Sequence, residues 1–326
     1  MNNGKIVTVT LNPSLDKTLL THHLNIGYHN RVADTTHLDA SGRGINVSRA
    51  ADRLGVPTRA IVLLGSDAIG HAYRGLLAEE SFSTTFIVQQ GPTRSDTIIV
   101  DRGNATETHI IDEGSGGSPD DIQRVIENLQ DALGPEDTVV LAGVLPREAA
   151  PDTYRQMADA VQAVGARVVV MTTSDGLGQV LKAQPDFVTL MRLEAESLFN
   201  YPVRTDADMI SGCQKLRALG AANVMMVADD YSRVVLLDGE NILTAEVAET
   251  GPGTDSGVVD ALLAGYLAAQ LLGQPTEEAL RTGAAAMNYA DSQIGNVFGS
   301  FDEIRQNLHR VDVHQVETNE NTTPTP

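Results

Sequence analysis

The chain has 326 residues, 42% of them hydrophobic and 4% aromatic, enough to bury a full core as one large α/β unit with a small appendage. Its formal charge is −20 and its lysines are only Lys5, Lys17, Lys182 and Lys215, which excludes the basic stripe that nucleic acid requires. An anionic ligand has to be held locally, by placed arginines and backbone N–H groups.

The single cysteine, Cys213, excludes an internal disulfide, and the eight histidines lack the spacing of a zinc site. No apolar run approaches about 18 residues, and the first residues lead straight into an alternating strand, so the chain is expected in the cytoplasm and away from membranes.

In chain order, period-two alternation predicts strands over residues 6–11, 59–64, 85–88, 97–100 and 107–111, with helices over 46–54 and 72–80. From residue 119 the pattern becomes regular: helix 119–132, strand 138–142, helix 151–164, strand 167–171, helix 176–182 and strand 186–190. Such alternation is the mark of parallel βαβ units. Helices over 206–219, 256–272 and 277–293 accompany strands at 224–227 and 234–237. Residues 314–326 lack apolar anchors and are predicted to form a disordered tail.

These elements read as α/β: one domain over 1–313, with a doubly wound, mostly parallel central sheet and a small β lid drawn from 18–37 and 85–111. Ligands bind such sheets at the carboxyl ends of strands, which directs attention to the loops after Leu11, Leu64, Ala142, Met171 and Leu190.

In one of the motifs, Ser41, Gly42, Arg43 and Gly44 stand just before a helix that opens near Asn46. Glycines allow close backbone approach to a ligand, and a helix N-terminus offers N–H groups to an anion. Alone, this would be an ordinary glycine turn. It is joined, however, by TLNPSLD at 10–16, TRSD at 93–96 and GVLP at 143–146.

In this order and spacing the chain resembles the PfkB (ribokinase-like) carbohydrate kinases from about residue 5 to 313, closest to the 1-phosphofructokinase and tagatose-6-phosphate kinase branch. The resemblance implies a three-layer α/β/α sandwich with a β lid. It also implies a phosphotransferase with an alcohol acceptor: an ATP-dependent kinase for a hexose phosphate of the fructose 1-phosphate or tagatose 6-phosphate type. MgATP would be the donor, no covalent cofactor is implied, and two lids would pair in a homodimer.

Carried over by motif, Asp16 would bond sugar hydroxyls, and Gly42, Gly44 and Asn46 would wrap the sugar. Arg43 replaces the family's loop lysine with a fork suited to phosphate, and Arg94 matches a phosphate-facing arginine. Taken singly, Asp16 reads as a turn carboxylate and Arg94 as a solvated charge.

The nucleotide side departs from the pattern. An ungapped match sets GTDS, 253–256, over the family's GAGD box, which puts Ser256 at the catalytic position and Asp255 one residue early. Asp255 is then the candidate base, with Gly251, Gly253, Thr254 and Ser256 around the anion hole and nucleotide. Thr254, Asp255 and Ser256 equally suit a plain helix N-cap. KPNxxE becomes TLMRLE at 189–194, leaving Glu194 as an indirect Mg²⁺ ligand, and SLGxxG becomes ADDYSR at 228–233, with Asp229 and Asp230 opposing phosphate. Three readings stay open: a working sugar-phosphate kinase, an inactive protein that binds a phosphosugar as sensor or regulatory subunit, and a kinase with another donor.

Overall fold

The computed structural model describes residues 4–32, 37–172, 174–249 and 253–316. The chain opens with β1 (Ile6–Thr10), β2 (Ser14–Thr21), β3 (His37–Ser41), α1 (Arg43–Arg53), β4 (Thr58–Gly65) and α2 (Ala68–Leu77). It continues through β5 (Ser83–Gln89), β6 (Arg94–Asp101), β7 (Thr106–Ile110), α3 (Pro119–Ala132), β8 (Thr138–Ala142), α4 (Thr153–Val164), β9 (Arg167–Met171) and α5 (Ser174–Val180). Then come β10 (Phe187–Met191), α6 (Arg192–Phe199), α7 (Asp206–Ala218), β11 (Asn223–Val227), β12 (Arg233–Asp238) and β13 (Asn241–Val247). Last are α8 (Val258–Leu271), α9 (Thr276–Asp291), α10 (Phe301–Asn307) and β14 (Val311–Gln315).

Local chemistry sets several of these boundaries. Pro119 occupies the first turn of α3, behind a reciprocal Ser118–Asp121 capping box, and Asp67 accepts hydrogen bonds from the Ile69 and Gly70 amides to start α2.

Ten strands form the main sheet in the order β14-β13-β12-β11-β10-β9-β8-β1-β4-β5. The pairings from β11 to β5 are parallel, and β12, β13 and β14 add an antiparallel edge. Alternate residues of a strand feed opposite cores: Val140 and Ala142 pack with α1, α8 and α9, whereas Val139 and Leu141 pack with α3, α4 and α7. The expected α/β/α sandwich follows. Among the described residues no helix is long and apolar enough to cross a membrane.

The lid is a mixed four-stranded sheet, β3-β2-β6-β7, with β2 and β6 parallel. Three expectations need correction. The 85–88 strand is no part of the lid; it is β5, which pairs in parallel with β4 at the sheet edge, because its apolar side chains complete the core beside Leu63 and Leu64. Residues 314 and 315 are ordered by backbone pairing with β13, which needs no apolar side chain, and the Val316 amide donates to the Ile242 carbonyl; residues 317–326 of the expected tail lie outside the described residues. The helix expected from residue 256 starts at Val258.

Candidate active site

The strand order reverses around β1, which is flanked by β8 on one side and β4 on the other, so loops on the carboxyl edge diverge there and leave a crevice. A cavity of about 280 Å³ occupies it, between the lid, the start of α1, the end of β10 and the start of α8. Lid residues reach it by alternation. Asp16 is in register with Asp96, and Ile98 with His109, so all four face inward and line the cavity.

Asp16 is 7% exposed, and its Oδ1 is buried without a hydrogen-bond partner. Burial pushes its carboxyl up to about 6, against the opposing pull of the Ser14 and Ser41 hydroxyls and Arg94 and with a further push from Asp96. A buried acceptor of this kind, inside a cavity, is able to take a hydrogen bond from a polar group that enters it.

Gly42 lines the same cavity with φ 130°, and a Cβ there would lie 2.7 Å from Thr10 Cγ2. Gly44 lies underneath. Its Cβ would fall 2.4 Å from Thr10 Oγ1, so this glycine lets α1 rest on β1 and does not border the cavity as the motif suggested. Asn46 does line it, donating from Nδ2 to Asp260 Oδ2 at 2.8 Å and leaving Oδ1 buried and unpartnered.

Arg43 Nη2 donates to Glu194 Oε1 at 3.1 Å, while Nη1 is buried with no partner. Glu194 also accepts the Met191 amide at 2.8 Å, so its carboxylate both caps α6 and holds Arg43. Arg94 is more committed: Nε donates to the Asn12 carbonyl at 3.2 Å, and Nη1 donates to Asp96 Oδ2 at 3.0 Å and to the Asp112 carbonyl at 3.2 Å.

The turn before α8 is where the structure departs most from the sequence reading. Ser256 lies in the turn rather than in the helix, and Asp255 stands exposed at the cavity mouth beside Glu107, His109 and Tyr231. Partial burial and the Glu107 carboxylate raise the Asp255 carboxyl above its ordinary range, opposed by His109 and the Tyr231 hydroxyl. Thr254 is a structural staple: its amide donates to the Gln293 carbonyl at 2.8 Å, and its Oγ1 accepts from the Gly295 amide at 2.9 Å. Gly253 is glycine because a Cβ would meet the Asp291 carbonyl at 1.9 Å. Gly251 lies outside the described residues.

The residue that reaches the cavity floor is Asp260, in the first turn of α8 and 5% exposed. Burial pushes its carboxyl up to about 6, with Arg43 and the Asn46 amide pulling down and Glu194 pushing up. Gly257 precedes the helix in the left-handed region at φ 74°, with no side chain capping the N-terminus. Two signals in the sequence mark this site. Asp260 is the one charged residue of VVDALLAGYLAAQL, and Gly257 to Asp260 repeats the G-x-x-D spacing of GAGD. This repeat lies four residues after the ungapped match at 253–256.

Beyond Tyr231 a second cavity of about 300 Å³ is bordered by Asp230, Ser232, Val247, Met287, Asn288 and Asp291, with Gly253 on its edge. Tyr231 borders both cavities. Asp229 does not: Arg192 Nε donates to it at 2.7 Å and the Leu193 amide at 3.1 Å, which offsets its charge.

Comparison with known proteins agrees with this geometry. The pattern of the pfkB family carbohydrate kinases matches residues 10–298. The chain belongs to this family. It is 31% identical to the 1-phosphofructokinase of Bacillus subtilis over 282 residues, covering 86% of this chain and 90% of that one. It is 29% identical to the 1-phosphofructokinase of Rhodobacter capsulatus, over 89% and 92% of the two chains. Phosphofructokinase-2 from Escherichia coli, solved with substrates and products, shares the fold at TM-score 0.85 and 22% identity over 94% and 98% of the chains; a tetrameric inhibited form of it is also known. For this pfkB-family chain, the motifs at 10–16, 41–50 and 93–96 therefore converge on one cavity, and the 257–260 turn closes it.

Proposed function

We propose that the chain is a sugar-phosphate kinase of the 1-phosphofructokinase type, which moves the γ-phosphoryl group of MgATP onto a hydroxyl of fructose 1-phosphate or tagatose 6-phosphate. The observation that carries this reading is the buried Asp260 carboxylate, open to the same cavity as Asp16 and tuned to about 6. A base with a pKa near neutrality accepts a hydroxyl proton and is still ionised at working pH. Asp260 takes the role that the sequence match gave to Asp255.

Asp16 and Asn46 would receive the sugar hydroxyls through their unpartnered oxygens, Gly42 would lie against the ring, and Arg94 would face the substrate phosphate. Arg43 stands between Asp260 and Glu194, so its free Nη1 suits the phosphoryl group in transfer better than the phosphate already on the sugar. The donor set fits a phosphoryl group: an uncapped helix N-terminus at Gly257–Val259, a left-handed glycine that keeps a Cβ out of the way, and an orphaned guanidinium nitrogen. MgATP supplies the electrophilic phosphoryl group and the cation that offsets its charge. Glu194, which holds Arg43 at the cavity, would be the carboxylate that helps to hold that cation.

The inactive reading rested on the altered GAGD, KPN and SLG motifs, and a catalytic Asp260 would answer the first of these. One observation still favours a sensor: the second cavity has Asp230, Glu249 and Asp291 on its border and no lysine or arginine. A coupled phosphotransfer assay with MgATP and each sugar phosphate decides between them. Binding of sugar phosphate by calorimetry with no turnover would establish the sensor.

We also propose that a second copy covers the outer face of the lid. Leu38 and Ile110 project there at 46% and 59% exposure, with Lys17 and Thr97 between them in register.

A further inference from the structure

Asn296 borders the main cavity, yet none of the motifs that converge there includes it. It lies in the segment between α9 and α10, which Thr254 holds at two points: the Thr254 amide donates to the Gln293 carbonyl at 2.8 Å, and the Gly295 amide donates to Thr254 Oγ1 at 2.9 Å. Asn296 is 6% exposed, and its own backbone amide donates to Asp39 on β3. The backbone that carries this side chain is therefore fixed from both the helical layer and the lid.

The neighbours also decide which end of the side-chain amide points where. Nδ2 lies 3.3 Å from Ser41 Oγ. The Ser41 hydroxyl bonds the Asp16 carboxylate, which only accepts when ionised, so the single Ser41 proton is committed there and its oxygen accepts from Asn296. Oδ1 is then turned toward Gly257 at the start of α8, where a Cβ would lie 3.1 Å from it. This oxygen is buried without a hydrogen-bond partner, and both Asn296 and Gly257 line the cavity. An acceptor held in this way is able to take a hydrogen bond from a hydroxyl that enters the cavity.

We propose that Asn296 selects the acceptor sugar, its Oδ1 accepting a hydrogen bond from a sugar hydroxyl that lies between the one at Asp16 and the one that is phosphorylated at Asp260. The role in the reaction rests on the kinase reading, whereas the contact itself does not. Its place follows from the two attachments: Asn296 is tied to Asp16 through Ser41, and it abuts the turn that opens α8, with Asp260 in the first turn of that helix. A carbonyl oxygen accepts and never donates, so it favours a hydroxyl over a hydrogen, an ether oxygen or a carbonyl in the same place. An analogue that lacks the hydroxyl leaves Oδ1 unpaired and seals it from water, which is the basis of the discrimination.

The test is calorimetric titration, without nucleotide, of fructose 1-phosphate, tagatose 6-phosphate and the 3-deoxy and 4-deoxy forms of whichever binds, into the wild-type chain, Asn296→Ala and Asn296→Asp. Asn296→Ala should weaken binding of the parent sugar phosphate about tenfold or more, and one deoxy form should bind the wild type more weakly by a similar factor. That form and the parent should bind Asn296→Ala equally, since the hydroxyl and its acceptor are lost together, while the other deoxy form should lose the same factor in both proteins. Asn296→Asp keeps the acceptor and should keep the discrimination, even where overall affinity falls. Equal wild-type affinity for the parent and both deoxy forms would overturn the proposal without any variant. Losses that multiply for both deoxy forms in Asn296→Ala, unchanged affinity of that variant, or failure of both sugar phosphates to bind would overturn it as well. Binding without turnover in a coupled assay sinks the kinase reading alone, and the titrations still decide the role of Asn296.

Discussion

Replacing Asp260 with asparagine separates stability from catalysis at one atom. The folded-state pKa is raised from 3.8 to about 6 by burial. At 1.36 kcal/mol per unit, the ionised carboxylate therefore costs the fold about 3 kcal/mol above pH 6. The sign follows from the raised value: stability associated with this group is fully present below 3.8 and is lost as pH rises through about 6. Asparagine keeps an oxygen for the Asn46 amide and carries no charge. The variant should gain about 2–3 kcal/mol in urea unfolding at pH 8, roughly half of that at pH 5, and almost nothing below about pH 3. Turnover should fall about a thousandfold, the scale of losing a general base, and the wild-type rate should decline with acid below about pH 6. A destabilised Asp260→Asn protein, or a larger loss of turnover in Asp255→Asn, would refute the assignment.

Other substitutions test the rest of the site. Asp16→Ala should raise KM for the sugar phosphate about tenfold or more with a smaller change in kcat, because it deletes an unsatisfied acceptor in the cavity; an unchanged KM removes it from the sugar. Arg43→Ala should depress kcat more than KM, whereas Arg94→Ala should weaken binding of sugar phosphate more than of free sugar and destabilise by about 2 kcal/mol as its three hydrogen bonds go; calorimetry with both ligands checks the split. Gly257→Ala forces a Cβ into the left-handed region and 2.8 Å from the Phe298 ring, so it should cost at least about 1–2 kcal/mol and lower Tm. Sedimentation of Leu38→Asp and Ile110→Asp tests the lid: monomers from a wild-type dimer support pairing, and a wild-type monomer rejects it.

Much of this protein was legible in one dimension because the physics is local. Period-two and period-3.6 patterns register which face of each strand and helix meets a core, so the βαβ run after residue 119 could be read directly and the sandwich follows from it. Asp16, Gly42, Arg43, Asn46 and Arg94 belong to short motifs whose order survives without knowledge of contacts, and they meet in one cavity. Assignment of β5 to the core sheet was out of reach, since a short alternating segment carries no record of which sheet its backbone will join.

Tertiary structure decided where the carboxylates lie. Asp255 and Asp260 are five residues apart and both near the start of α8, and a helix start uncertain by two residues turns a side chain through about 200°. Only the packing of Gly257 against Phe298 and of Asn46 against Asp260 sets that start and sends one carboxylate to the buried floor and the other to the mouth. Burial then sets their chemistry, because desolvation depends on neighbours brought from residues 43, 46, 107 and 194, far away in the chain.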